Sequence, residues 1–353
     1  MNTSRFTINI MLSLRLTTFE IKNLLVQRIG KSNFLWKFVK VGQSLSFVYN
    51  YAIHCAIGLN SRTSVTEINI ELVSYCNLRC RMCSLDHLKP KVRMTADLLK
   101  LFFQQLLNDK RFRNIDTIHL YNAGEVLLHP KIEEMLAIIK QAKEEAISRK
   151  IPFPKVALLT NATILDEKKS AILISADILD NIRFSMDGGN KENFEQMRDR
   201  AKWDEFATNI ETFCALNKQS SNPIKTGIIT LIDYKYKADT SWMSNEFKKL
   251  LNTVDGYELR YAHNWGGDID VPEISTKRNY KIGCSLLMHQ MVFLPNGDIT
   301  VCCADLNSKG VIGNIQSNTL YEIYKKPERL KMLSLFMRNR KHEIELCKNC
   351  ESF

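Results

Sequence analysis

Three cysteines crowd one short stretch of the chain: Cys76, Cys80 and Cys83, in the run Tyr75-Cys-Asn-Leu-Arg-Cys-Arg-Met-Cys-Ser84. The spacing C-x3-C-x2-C puts three soft thiolates on one turn. Thiolates select zinc, cuprous copper or iron–sulfur clusters over hard cations. A structural zinc site closes its tetrahedron with four protein ligands, and an iron–sulfur cluster ordinarily takes four thiolates. Three ligands on one loop therefore suit a four-iron cluster with one iron left open for chemistry. Taken alone, the triplet is equally compatible with zinc binding or with thiols packed as small hydrophobes.

A second cysteine group lies near the other end: Cys284, Cys302, Cys303, Cys347 and Cys350, spaced C-x17-CC-x43-C-x2-C. Four thiolates complete one four-iron cluster, and the same four would serve a zinc ribbon. Consecutive strand residues face opposite sides, so one of the adjacent pair points away from any shared ligand. Cys55 and Cys214 fall in apolar helical surroundings and read as buried thiols. His54, His87, His119 and His289 lack partners at metal-ligand spacing and read as structural or surface residues.

The elements that must hold these groups alternate. Strand-like runs at Glu67–Val73, Ile115–Tyr121, Lys155–Thr160, Asn181–Met186, Ile224–Ile232 and Gly256–Tyr261 are separated by amphipathic stretches. Those stretches predict helices over Thr95–Leu107, Pro130–Arg149, Asp166–Ser175, Lys191–Asn217 and Ser241–Leu251. Such alternation gives a parallel α/β sheet or barrel, whose loops at the C-terminal strand ends build the site. The first strand runs straight into the cysteine triplet. Polar residues mark the later strand ends: Gly124 and Glu125, Thr160 and Asn161, Ser185 and Asp187, with Arg198 in the following helix. Individually these are ordinary turn formers. Arg260, Tyr261, His263 and Trp265 follow the sixth strand and are candidates for ligand contacts or satisfied loop residues. Three segments result: a basic helical extension over 1–64, a barrel over 65–265 and a cysteine-rich region over 266–353, with a hairpin signal at Leu294-Pro-Asn-Gly-Asp298.

At 353 residues the chain can bury a large core. Ten cysteines at this length are too sparse for a disulfide-stapled secreted module. No signal peptide and no apolar run long enough to span a bilayer is apparent, so a reducing cytoplasm is expected. Residues 1–65 hold eight Lys or Arg against one acid, Glu20, a local excess of +7 within a total of +11. A basic amphipathic segment can rest on an anionic membrane or an acidic partner, or pack on the barrel with its charges solvated. Nucleic-acid binding finds no motif and no basic run interleaved with aromatics.

Taken in order, these motifs resemble the radical S-adenosylmethionine (SAM) superfamily across roughly residues 65–353. The Cys-Asn-Leu-x-Cys-x-x-Cys form is typical of its members with cysteine-rich C-terminal SPASM or twitch extensions. The hairpin before Cys302 and Cys303, the run Gly313-Asn-Ile315 and the closing Cys347-x-x-Cys350 match such an extension. The resemblance implies a partial six-stranded TIM-like barrel and a small auxiliary domain. It implies that Cys76, Cys80 and Cys83 hold a 4Fe-4S cluster whose open iron binds SAM, and that reductive cleavage yields a 5′-deoxyadenosyl radical. Cys284, Cys302, Cys347 and Cys350 would hold one auxiliary 4Fe-4S cluster, an electron relay, with Cys303 turned away. Asn122-Ala-Gly-Glu125 is similar to the family's Gly-Gly-Glu, with Ala123 for the first glycine; Gly124 and Glu125 would meet the SAM amino group. Asn161, Ser185, Asp187 and Arg198 would line the rest of the SAM site. An electron donor such as flavodoxin or ferredoxin is implied. The expected substrate is a sugar- or cyclitol-like small molecule, oxidised in a biosynthetic pathway, with peptide modification as the alternative. A non-catalytic iron–sulfur or zinc protein is a third reading, which the retention of Glu125 and all three loop cysteines disfavours.

Overall fold

The apolar runs become the strands of one sheet. The computed structural model describes residues 41–42, 44–45, 47–49, 51–52, 62–232, 239–261, 264–269 and 283–350. Most of the basic extension, with His54, Cys55 and His263, lies outside the described residues. Strands β1 (Glu67–Ile70), β3 (Thr117–Leu120), β4 (Lys155–Thr160), β5 (Asn181–Ser185), β7 (Lys225–Ile232) and β8 (Gly256–Tyr261) pair in that order, each parallel to the next. These six are the expected open, partial TIM-like barrel; parallel pairing demands crossovers, and the helices supply them.

Several helices begin where a side chain satisfies one of the first N–H groups. Helix α1 (Ala96–Asn108) is capped by Thr95, whose Oγ1 accepts the Leu98 N–H at 3.3 Å. Its face of Leu98, Leu99, Phe102, Phe103, Leu106 and Leu107 is buried. Helix α2 (Ile132–Ser148) follows β3. Helix α3 (Glu167–Ser175) is capped by Asp166 on the Lys169 N–H at 2.7 Å.

The single helix expected over 191–217 is instead two, α4 (Lys191–Met197) and α5 (Trp203–Asn217). Between them β6 (Arg198–Asp199) pairs antiparallel with β2 (Arg79–Cys80), and Arg200 takes a left-handed φ of 77°. The cysteine loop thus draws two residues out of the helical path, and Phe194 packing on Trp203 and Phe206 keeps the halves together. Arg198 therefore sits on a short strand, not in a helix. Helix α6 (Asn245–Leu251) starts four residues later than its apolar pattern predicts, because Ser244 caps it.

The cysteine-rich region extends the same sheet. After α7 (Ser285–His289), β9 (Gln290–Phe293) lies parallel to β1, with Glu67 opposite Gln290 and Ile70 opposite Phe293. β10 (Asp298–Thr300) returns antiparallel and β11 (Val311–Asn314) pairs with it, giving a sheet of nine strands. The hairpin turns at Gly297 with φ 91°, a conformation glycine adopts without strain. Phe293 stacks on Phe102 of α1 at 4.8 Å, tying the extension to the barrel core.

Helices α8 (Leu320–Tyr324) and α9 (Pro327–Met337) are held by Arg329, which is fully buried. Its guanidinium lies over the Tyr324 ring at 4.2 Å and donates to the carbonyls of Tyr324, Leu287 and Met288 at 3.1–3.3 Å. Burial presses its pKa below the usual arginine value, yet the three carbonyls and the ring hold the cation in place. Arg329→Ala should destabilise the cluster-free protein by about 3 kcal/mol, through a cavity and the orphaned carbonyls of Tyr324 and Leu287, Met288 O keeping the Ser64 hydroxyl. Lysine should recover little of it, lacking the planar fork. Thermal unfolding followed by circular dichroism checks both; a midpoint unchanged in Arg329→Ala would show that the clamp carries no stability.

Candidate active site

β1 ends at Ile70, and the chain then runs across the top of the barrel before Cys76. Two contacts fix its path. Gly124 sits so close that a Cβ there would lie 2.0 Å from Val73 O and 2.8 Å from Tyr75 O, so glycine is required at this crossing. The Glu125 N–H then donates to Tyr75 O at 3.0 Å.

The three cysteines end half-buried on this turn. Cys83 N–H donates to Cys80 O at 3.0 Å, closing the loop. Cys80 lies opposite Arg198 in the β2–β6 pair, and Arg198 Nη1 approaches its Sγ at 3.9 Å. Cys76 Sγ accepts from Leu78 N–H at 3.4 Å and Asn161 Nδ2 at 3.6 Å. Burial pushes the Cys76 thiol up to about 12, with Glu125 and the other two cysteines adding to it. Burial likewise raises Cys80 to about 11, against the pull of Arg198, and raises Cys83. No neighbouring cation overcomes that burial. A guest that turns these thiols into thiolates must bring positive charge with it, as an iron cluster or a metal ion does.

Behind the thiols, Glu125 is 4% exposed and closely partnered. Its Oε1 accepts from Thr160 Oγ1 at 2.7 Å and Leu127 N–H at 3.1 Å, and its Oε2 from Asn161 N–H at 2.8 Å. A carboxylate offers about four acceptor positions, so one is left on Oε2. Burial raises its pKa despite these donors. Asn161 joins this group to the cysteine loop through Nδ2 to Asn77 Oδ1 at 3.0 Å, while Asn77 donates to Thr163 Oγ1 at 2.8 Å.

Asp187 is 1% exposed and takes Arg198 on two nitrogens, Nε at 2.8 Å and Nη2 at 2.6 Å, with Leu231 N–H on its other oxygen at 2.6 Å. Burial opposes the Arg198 charge, but Asp187, with Cys80, outweighs it and lifts its pKa. Ser185 ends β5 half-buried, and its hydroxyl makes no hydrogen bond among the described residues. Gly124, Glu125, Asn161, Asp187 and Arg198 are thus gathered around the cysteine turn, with Ser185 on the adjoining strand end.

The second cysteine group surrounds its own small cavity. Cys284, Cys302, Cys347 and Cys350 line it, with Leu287, Phe336 and Lys341 among the other walls. Cys303 does not line it, although neither member of the pair is in a strand: β10 ends at Thr300, and the pair opens a turn that the Asp305 N–H closes on Cys302 O. Burial raises Cys284 to about 11 and Cys347 further, with Cys284 and Cys350 adding to the effect on Cys347. All nine cysteines among the described residues are free thiols. Among those residues no three His, Cys, Asp or Glu side chains converge as ligands of one metal ion would. In a four-iron cluster each thiolate holds a separate iron, so the ligands ring a cavity and do not meet at a point. The donor set of four cysteines around one cavity fits such a cluster.

Cys303 instead belongs to the barrel lumen. Its N–H donates to Gln290 Oε1 at 3.1 Å; Gln290 donates to Asn69 at 3.1 Å, and Asn69 to Tyr121 O at 3.2 Å. Burial raises the Cys303 thiol to about 12, with Glu67 adding and Arg260 opposing. Further along the lumen, Glu258 accepts from Arg260 at 2.5 and 2.8 Å and from Arg183 at 3.2 Å.

Of the residues suggested for the mouth, Arg260 faces this lumen, whereas Trp265 donates its Nε1–H to Met82 O under the cysteine loop. The Tyr261 side chain and His263 lie outside the described residues. His119 lies 3.6 Å from Glu67, and His289 Nδ1 is 2.9 Å from Ser64 O, both in structural settings. Sequence reading missed Glu71, Asn77 and Thr163. Glu71 is 2% exposed, and its Oε2 accepts from Asn122 Nδ2 at 2.9 Å and Ala123 N–H at 3.1 Å, anchoring the Gly124–Glu125 loop. Asn77 was legible inside the cysteine motif; nothing local marks Glu71.

Comparison with known proteins agrees with this arrangement. The radical SAM superfamily model matches residues 70–238, and an iron–sulfur cluster-binding domain, SPASM, matches residues 284–351. A GTP 3′,8-cyclase of Chlorobaculum tepidum is 24% identical over 157 residues, 43% of this chain and 42% of that protein. A tungsten-containing aldehyde ferredoxin oxidoreductase cofactor-modifying protein of Pyrococcus furiosus is 27% identical over 119 residues, 33% of this chain and 30% of that protein. The chain therefore spans less than half the length of these curated relatives. Among solved structures, BtrN in complex with AdoMet and 2-DOIA superposes with a TM-score of 0.54 at 18% identity, covering 82% of this chain and 93% of that one. Streptococcus suis SuiB bound to S-adenosylmethionine gives 0.52 at 17% identity, covering 82% and 72%. At these identities the superpositions establish the fold. With a cysteine triplet over a partial barrel, a cavity ringed by four further cysteines, and both matching models in register with them, this chain belongs to the radical SAM superfamily and carries a SPASM iron–sulfur domain.

Proposed function

We propose that this chain oxidises a sugar- or cyclitol-like small molecule by hydrogen-atom abstraction, with Cys76, Cys80 and Cys83 as ligands of the SAM-binding cluster. Cys284, Cys302, Cys347 and Cys350 are the proposed ligands of a single auxiliary cluster. When bound, the first cluster supplies the electron that splits SAM into methionine and a 5′-deoxyadenosyl radical, and the second, fully ligated by protein, supplies an electron acceptor. The observation that carries the reading is the arrangement of the thiols: three on one turn, four around a separate cavity.

The chain's own groups have definable tasks in this reading. Glu125 offers its remaining acceptor position to the ammonium of SAM, a charge-assisted bond made in a dry setting. Asp187 keeps Arg198 aimed at the cysteine turn, where its charge can meet the SAM carboxylate. Arg183, Glu258, Arg260 and Tyr121 give the lumen fixed hydrogen-bonding groups, which suit a hydroxylated small molecule. Coverage of 93% of BtrN supports the small-molecule choice. The peptide-modifying alternative finds its support in the likeness to SuiB, also solved bound to its precursor peptide, of which this chain covers 71% in that structure. No helix of the described residues is long and apolar enough to cross a membrane.

Three outcomes test these assignments. Anaerobic reconstitution should give about eight irons per chain. Cys83→Ala should keep about four of them and abolish 5′-deoxyadenosine, whereas Cys347→Ala should keep SAM cleavage and lose oxidised product. Zinc uptake without cleavage, or intact turnover in Cys347→Ala, would sink the corresponding assignment. Glu125→Gln should weaken SAM binding by roughly 10- to 100-fold, the worth of a hydrogen bond to a charged group; calorimetric titration returning wild-type affinity would remove Glu125 from the site. For the substrate, 5′-deoxyadenosine release should be stimulated by polyhydroxylated small molecules, and stimulation by peptides alone would favour the alternative.

A further inference from the structure

The two cysteine loops are in direct contact, and one side chain makes most of it. Asn307 follows Cys302 by five residues and lies against the chain just past Cys83. Its Oδ1 accepts the Asp86 N–H at 2.9 Å and its Nδ2 donates to Ser84 O at 2.8 Å. One carboxamide thus satisfies a backbone donor and a backbone acceptor two residues apart, as a neighbouring strand would. Lys89 Nζ adds a bond to Leu306 O at 2.6 Å. Between them Leu306 packs on Leu85 and Ala123, all three buried, with Cys76, Cys83 and Trp265 around this small core.

The loop that presents Asn307 is itself braced. Asp305, 2% exposed, accepts from Thr300 Oγ1 at 2.6 Å, Gly310 N–H at 2.7 Å and Lys309 N–H at 2.8 Å. The brace ties the turn after Cys302 to β10, so Asn307 reaches the first loop from a fixed base. On its far side, the Trp265 bond to Met82 O holds the residue before Cys83. Cys83 is thus gripped on both flanks by residues that follow the barrel.

We infer that Asn307 is a positioning residue for the SAM-binding cluster: through it, the auxiliary loop fixes the backbone that carries Cys83. The inference rests on the proposed ligand role of Cys76, Cys80 and Cys83. It makes the auxiliary segment part of the first site's scaffold. A disturbance at Cys302 then reaches Cys83 through six residues of chain and two hydrogen bonds.

The clamp can be read without iron. In the full-length, cluster-free chain, Asn307→Ala should raise amide hydrogen exchange over residues 83–88 by about tenfold, since the Asp86 N–H loses its acceptor. Asn307→Asp keeps that acceptor and loses the donor to Ser84, so its exchange should stay nearer that of the unsubstituted chain; it also serves if the alanine variant does not fold. After reconstitution, a chelator should strip about half of the iron from Asn307→Ala several-fold faster than from the unsubstituted chain, leaving the other half at its usual rate. Unchanged exchange in both variants overturns the clamp, and altered exchange with unchanged iron retention overturns its role in positioning Cys83. If the unsubstituted chain takes up no iron at all, the functional reading fails instead, and the exchange comparison still decides whether Asn307 holds the segment.

Discussion

β9 lies parallel against β1, and that pairing decides where both cysteine groups can be. β1 delivers the chain to Cys76, and β9, with the hairpin it begins, delivers the chain to Cys302. A parallel neighbour ends on the same side as its partner. β9 therefore ends at Phe293 beside Ile70, where β1 leaves for Cys76, but β10 runs back antiparallel with Thr300 opposite Val292, so the chain reaches Cys302 near Gln290, at the end where β1 begins. The stacking of Phe293 on Phe102 holds that register, and a one-residue slip would turn Phe293 out of the core. Direct contact between the two loops comes from the stretch after Cys302, where Leu306 packs on Leu85 and Ala123 and Asn307 bonds Ser84 and Asp86.

Burial without compensation is the second constraint. Glu71 and Glu125 are carboxylates whose pKa values burial raises, and each keeps its place through hydrogen bonds from backbone and amide groups. Burial raises the cysteine thiols as well. Apolar burial around so many thiols costs little while they stay protonated and a great deal once they ionise. Metal uptake must then release protons, and the apoprotein around each cluster is suited to neutral sulfur. Asp187 with Arg198 is the exception, an ion pair complete in itself, and it stands beside Cys80.

Much of this was legible in the sequence. Short apolar runs located the six barrel strands, and β4 and β8 fall on their expected residues, because buried parallel strands read as short apolar blocks. The cysteine spacings marked two separate groups. Three features escaped for physical reasons. The break at Arg198 depends on pairing with Arg79–Cys80 more than a hundred residues away, and local periodicity carries no trace of a tertiary partner. Period-two facing assumed a strand through Cys302 and Cys303, whereas β10 ends at Thr300 and Cys302 opens a turn closed by the Asp305 N–H. Glu71 looks like one polar residue in a strand, and its task is set by a loop fifty residues further on.

The Cys302–Cys303 pair gives this separation its meaning. Cys302 faces the cavity of the four thiols, while Cys303 belongs to the lumen with Tyr121 and Arg260. One peptide unit is therefore the partition between the two compartments. Its N–H is held by Gln290, which Asn69 in turn connects to Tyr121, so the wall is fixed to β1, β3 and β9 together. In the proposed reaction a molecule oxidised in the lumen must give up an electron and a proton. Placing the auxiliary ligands directly behind that wall keeps the electron's route short, while the wall itself keeps the reacting carbon away from iron. A fold that brought the four thiols together elsewhere on the sheet would bind the same cluster and lose that proximity.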